Sequence, residues 1–273
     1  MARTTDNITQ SDHHNARGIE LADRGWYEEA IREFHKAIEF DPKSAHAHDN
    51  LGTVLTEKGL LLEALAEFVV ATQLDPNSAT THHYLASFLA SHGADLAISQ
   101  YRRSLACEYE FPDAHLNLAM TLADSGRLDE ALRELEIAHL QAPEDTLIQH
   151  ELACCLIDLE RHPDAIAHLK NLLRAEPRHI EALVDLGIAY TAQGFYAEAE
   201  SSLLKALAID PVDFNCHYHL AALYATWARP EDALDHLEAA ARQDSEKIRT
   251  WLREDHLFDP IRQNARYLTL ATQ

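Results

Sequence analysis

A glycine, or a residue standing in for one, returns every 33 or 34 residues along this 273-residue chain. Aligning the glycine of "EKGLLLEA" with its counterparts gives Gly25, Gly59, Gly93, Gly126, Glu160, Gly194 and Ala228, at steps of 34, 34, 33, 34, 34 and 34. A fixed period of this length dictates a stack of like supersecondary units. Each period carries apolar residues at helical spacing on both sides of the glycine, such as Leu51 and Leu55 before Gly59 and Ala64, Phe68 and Ala71 after it. That marks a helix pair with facing stripes. One pair cannot bury both stripes, so the next pair must cover what is left, which is why the length repeats.

The punctuation agrees. Gly18, Gly52 and Gly187 fall inside first helices, where a small residue lets the second helix approach, and the remaining glycines fall in the turn between helices, where φ > 0 is expected. Pro42, Pro76, Pro143, Pro177 and Pro211 end second helices, while Pro112, Pro163 and Pro230 suit a first helical turn. The third repeat is one residue short between Gly93 and Ala97 and is expected to turn more tightly. After Asp244 the pattern stops; Ile248, Trp251 and Leu252 form a stripe able to cover the open end of the stack, with Leu257, Phe258, Ile261, Tyr267 and Leu268 folding back on it.

The spacing of His48, Leu51-Gly52, Leu55, Ala64, Phe68 and Pro76, matched again by Leu186-Gly187, Tyr190, Gly194, Ala199, Leu203, Ala206 and Pro211, closely resembles the tetratricopeptide repeat. The expected fold is all-α, and the resemblance implies a right-handed superhelical solenoid of stacked antiparallel helix pairs. Residues 1–10 are expected to be a flexible tail. Seven repeats follow over about 11–44, 45–78, 79–111, 112–145, 146–179, 180–213 and 214–245, and 246–273 form a capping helix and tail.

The charge narrows the function classes. With 23 Lys and Arg against 45 Asp and Glu, the formal net charge is -22, and no basic run exceeds Arg102-Arg103. Nucleic acid and anionic membranes are repelled, and a basic or amphipathic partner is better matched. No uncharged stretch is long enough to span a bilayer and the opening "MARTTDNITQSDHH" has no secretory apolar core, so a soluble, cytoplasmic protein without membrane insertion is expected. Cys107, Cys154, Cys155 and Cys216 form no C-x-x-C pair and read as reduced packing groups.

With every glycine assigned to architecture, phosphate loops and nucleophile elbows are absent, as is H-E-x-x-H. Carboxylates such as Glu28, Glu29, Asp129 and Glu130 fall on solvent-facing positions. No catalytic residue, cofactor or metal is therefore expected. The 18 histidines are the oddity: His14, His48, His82, His115 and His217 share the fourth position of their repeats and read as rings packed between the paired helices. Their protonation below about pH 6 would offset much of the acidic charge and weaken a basic partner's attraction. His150 and Cys154, spaced i, i+4 and near Met120 of the preceding repeat, could make a soft-metal pair, but an ordinary groove position is the simpler reading.

The resemblance implies that first helices line a concave groove. Carrying the family's groove positions over gives Asp49, Asn50 and Thr53 in repeat two, and His83, Tyr84 and Ser87 in repeat three. Repeat four gives Leu116, Asn117 and Met120, and repeat five His150, Glu151 and Cys154. Val184, Asp185 and Ile188 follow in repeat six, with Tyr218, His219 and Ala222 in repeat seven. Leu116, Met120, Val184 and Ile188 are expected to form an apolar strip flanked by Asn117, Glu151 and Asp185, suited to a peptide with basic flanks. The carboxylate clamp of chaperone-binding relatives is not matched, because Asn15, Ile19, Thr80 and Tyr84 occupy its places and only Asn50 survives. The leading expectation is a non-enzymatic scaffold or assembly factor for a protein or peptide partner. The alternatives are an accessory subunit of an enzyme or cofactor-assembly system, and a self-assembling structural protein, a homo-oligomer.

Overall fold

The computed structural model describes the backbone of residues 2–272 and the side chains of residues 6–272. Every regular element among the described residues is helical, and the chain falls into two bodies, one up to Ala142 and one from Pro143.

The first body holds four helix pairs: α1 (Ala2–Asp23) with α2 (Tyr27–Phe40), α3 (Ala45–Glu57) with α4 (Leu61–Leu74), α5 (Ala79–Ala90) with α6 (Ala94–Cys107), and α7 (Pro112–Asp124) with α8 (Leu128–Gln141). Residues 2–10, read from the sequence as a tail, are the first turns of α1. Phe34, Leu51, Val54, Phe68, Leu85 and Phe88 are buried in one cluster drawn from successive pairs, so each pair closes the apolar face of its neighbour.

The second body holds α9 (Thr146–Asp158) with α10 (His162–Ala175), α11 (Ile180–Ala192) with α12 (Tyr196–Ile209), and α13 (Phe214–Thr226) with α14 (Pro230–Gln243). It closes with α15 (Ser245–Glu254), a 3-10 helix (His256–Ile261) and α16 (Ala265–Thr272). Ile248, Leu252, Phe258, Ile261 and Tyr267 are buried in the same core as Leu220 and Leu237, while Leu257 and Leu268 stay about half exposed. The Tyr267 hydroxyl donates to the Leu252 carbonyl at 2.8 Å, and the Arg266 guanidinium reaches Glu231, Asp235 and Glu238 of α14.

Six of the seven intra-pair turns share one geometry. Gly25 has φ +76° and donates its N–H to the Ala22 carbonyl, while Trp26 donates five residues back to Leu21. This doubly bonded left-handed cap stops the helix and reverses the chain. Glu160 and Ala228 adopt the same cap at φ 57° and 59° although each carries a Cβ. The third turn departs from expectation: Gly93 is extended at φ -178°. The missing residue removes the left-handed position, and both His92 and Gly93 donate to the Leu89 carbonyl instead. Gly187 serves the other purpose, since a Cβ there would lie 2.5 Å from Leu203 Cγ.

One buried group works against the first body. Asp49 is 1% exposed and neither carboxyl oxygen has a hydrogen-bond partner. Burial raises its pKa to about 7, with adjacent His48 opposing the rise. The folded state then keeps a proton that the unfolded chain releases near its ordinary value of 3.8, so this residue's contribution falls as pH rises from about 4 past 7.

Replacing Glu160 or Ala228 with glycine is expected to stabilise the fold by ~0.5–1 kcal/mol by relieving left-handed strain, and Gly187→Ala to destabilise it by ~1–3 kcal/mol, both read from urea midpoints. Asp49→Asn is expected to raise stability at pH 8 by about 1–3 kcal/mol and by less at pH 4.5, followed by thermal circular dichroism. A difference independent of pH would remove Asp49 as its source.

Candidate functional site

The first helices carry two polar systems that recur with the repeat. In the first, the fourth-position histidine brackets its own helix pair. His14, His48 and His115 each place Nδ1 2.6 Å from a carboxylate 19 residues on, Glu33, Glu67 and Glu134. His82 makes the equivalent contact with Gln100 and His217 with His236 Nδ1, at 2.9 and 2.8 Å. On the other side of the ring, Nε2 of His82, His115 and His217 donates to the carbonyl six residues back, at Pro76, Tyr109 and Pro211. Gln149 keeps that second contact in repeat five, its amide donating to Pro143 O at 2.5 Å. These rings are hydrogen-bonded brackets as well as packing groups, which corrects the simpler expectation. Glu33, which also meets Lys36, is held at about 2, Lys36 being the larger cause and His14 the next. Burial, and then His217, lower the pKa of His236.

In the second system, the fifth position of one repeat meets the sixth of the next. Asn50 donates to Asn15 Oδ1 at 2.9 Å, His150 Nε2 lies 2.7 Å from Asp185 Oδ2, and the Tyr218 hydroxyl donates to Asp255 at 2.5 Å. Separations of 35, 35 and 37 residues show the same junction used three times. Asp255 belongs to the C-terminal segment, which there takes the place of a further repeat.

The expected groove residues divide by burial. In the first body Asp49 is buried, Asn50 and Asn117 are half-buried, and Thr53 and Ser87 are exposed, with Tyr84 36% and Met120 39% exposed. His83 lies against the rings of Tyr84, Tyr101 and Phe111, and burial lowers its pKa. The Ser87 hydroxyl is 3.0 Å from that of Tyr101. Leu116, expected on an exposed apolar strip, is 6% exposed. In the second body Val184, Tyr218 and Ala222 are buried too, while Glu151 and Ile188 are half-buried. For Val184 the reason is the next first helix of its own body: it is buried in one core with Leu220, Ala221 and Leu223 of α13.

The second body brings His150 and Cys154 of α9 together with Asp185 of α11. Cys154 Sγ lies 3.6 Å from Asp185 Oδ2, to which it donates, and 3.7 Å from His150 Nε2. The His150–Asp185 hydrogen bond raises the histidine's pKa. Burial, then Asp185 and Glu151, push the Cys154 thiol far above its ordinary range. Asp185 also borders a cavity of about 300 Å³ lined by Val184, Asp213, Asn215 and His219. Burial lowers the pKa of His219, with Asp185 opposing. The sequence placed His150 and Cys154 on one helical face; the group that joins them is Asp185, which it had assigned to a separate repeat.

A larger cleft of about 660 Å³ lies between α10 and α12, where Lys170, Arg174 and Lys205 meet around Leu173, Tyr190 and Glu198. It was missed because these cations are scattered in sequence; the i, i+4 pair Lys170 and Arg174 was its one visible sign.

Family profiles for the tetratricopeptide repeat match residues 18–59, 87–145 and 150–214. Among curated relatives, a human FK506-binding protein-like protein is 38% identical over 69 residues, 25% of this chain and 20% of that protein. The chain spans about a fifth of the length of the curated relatives it matches. Among solved structures, pilF of Pseudomonas aeruginosa superposes with a TM-score of 0.63 at 18% identity, covering 77% of this chain and 97% of that one. YrrB, described as a tetratricopeptide-repeat protein with an unusual peptide-binding site, gives 0.59 at 23% identity, covering 67% and 95%. No helix among the described residues is long and apolar enough to cross a membrane. Period, turn geometry, profile matches and structural neighbours agree, and the chain belongs to the tetratricopeptide-repeat family.

Proposed function

We propose that the chain is a non-enzymatic scaffold that binds a protein segment across the first helices of its N-terminal body. The observation that carries this reading is that the ninth positions of three adjacent first helices, Thr53 of α3, Ser87 of α5 and Met120 of α7, are all exposed, with Tyr84 exposed one turn before Ser87 on α5. Tyr84 supplies an aromatic surface, Met120 an adaptable apolar one, and Thr53 and Ser87 small hydroxyls; this combination suits an amphipathic peptide. Family membership supports a protein or peptide partner in general terms. The net charge of -22 favours a partner with basic residues and makes its association sensitive to salt.

A photo-reactive residue at Tyr84 or Met120 is expected to capture the same partner, whereas one at Leu140, 80% exposed on the second helix α8, is expected to capture none. The double change Tyr84→Ala with Met120→Glu is expected to weaken that partner at least about tenfold with helicity unchanged, and raising salt to weaken it further. Equal capture from Leu140, or undiminished affinity in the double variant, would move the binding surface off the first helices.

A further inference from the structure

We propose that His150, Cys154 and Asp185 form a binding site for a single borderline-soft divalent cation, Zn²⁺ in the first instance, that bridges repeats five and six. This goes beyond the scaffold reading and uses a different body of the chain.

Two of the three donor spacings already match a bound metal. His150 Nε2, Cys154 Sγ and Asp185 Oδ2 lie within 4.8 Å of one another, at 2.7, 3.6 and 3.7 Å. Three such donors around tetrahedral zinc stand about 3.4–3.6 Å apart, given metal distances of ~2.3 Å to sulfur and ~2.0–2.1 Å to nitrogen and oxygen. The two edges at sulfur fit as they stand; the nitrogen–oxygen edge is short because a hydrogen bond now draws the two together, and a small opening accommodates a metal. The donor set of imidazole, thiolate and carboxylate is zinc chemistry, whereas the hard cations Mg²⁺ and Ca²⁺ take oxygen.

The surroundings suit a dication. Glu151 and Asp185 both act on Cys154 and on His150, and Asp158 acts on Cys154 and Glu181 on His150. This field opposes thiol ionisation when no metal is bound, and the same field favours a doubly charged ion at the thiol. Binding releases the Cys154 thiol proton to water and frees His150 Nε2, whose proton leaves to water from an imidazolium or moves to Nδ1 of a neutral ring, and three metal–ligand bonds form. His150 and Asp185 are 15% and 19% exposed, which leaves an entry route. The three groups supply three of four tetrahedral positions. The fourth is left for water or an exogenous donor, and the cavity beside Asp185, which His219 also lines, has room for it. Because α9 and α11 each supply ligands, an occupied site also clamps one repeat to the next.

The test uses the untagged full chain, stripped with chelator and titrated with Co²⁺ and then Zn²⁺. One equivalent of Co²⁺ is expected to give a near-ultraviolet thiolate-to-metal band that Zn²⁺ displaces, with one proton or more released per metal. Cys154→Ser is expected to remove the band, and Asp185→Asn and His150→Ala to weaken the one-equivalent binding at least about tenfold, each with unchanged helicity. Cys107→Ser, which alters the exposed thiol, is expected to leave the band intact. A band that survives Cys154→Ser, no thiolate band at all, or metal uptake indifferent to both Asp185→Asn and His150→Ala would overturn the site.

Discussion

A lone helix hairpin has two apolar stripes and only one partner for each helix, so part of its hydrophobic surface faces water until another hairpin covers it. This requirement governs both bodies of the chain. Phe34 of α2, Leu51 of α3, Phe68 of α4 and Leu85 of α5 close one continuous core in the first body. In the second, Leu186, Leu203, Leu220 and Leu237 repeat the arrangement. Hydrophobic burial is non-directional, however, and by itself does not fix how far one hairpin slides along the next.

The recurring polar contacts fix that register. A bracket from the fourth position holds first helix to second, and the fifth-to-sixth contact holds one repeat to another, through an amide pair at Asn15–Asn50, an ion pair at His150–Asp185 and a phenol–carboxylate pair at Tyr218–Asp255. The chemistry changes while the geometry stays. A junction of this kind accepts whatever donor and acceptor match there, which lets one family fold carry different local chemistry at different repeats.

How much of this was legible depends on range. The period, the small residues at Gly52 and Gly187 and the caps at Gly25 and Gly59 are local consequences of backbone geometry, so they are written in the chain at fixed offsets. Gly93 was misread because its turn had lost one residue, and a single deletion changes which atoms can meet. The candidate surface was harder. Leu116 and Val184 occupy family groove positions, yet both are buried, and Val184 is so because residues of α13, from the following repeat, share its core. The pair His150 and Cys154 was visible as an i, i+4 spacing, but Asp185 comes 31 residues after Cys154 and is joined to it only by stacking. The Glu partners of the bracket histidines, always 19 residues on, were open to a search at that offset.

The Tyr218–Asp255 contact has a consequence for growth of the stack. Asp255 meets Tyr218 where a following repeat would otherwise supply a partner, and Arg266, reaching three carboxylates of α14, fastens the segment in place. The chain thus carries its own imitation of an incoming repeat. With Phe258 and Tyr267 sunk in the core, the last helix pair is roofed by the chain itself, and the residues that finish the fold double as a substitute for the further hairpin that the periodicity calls for.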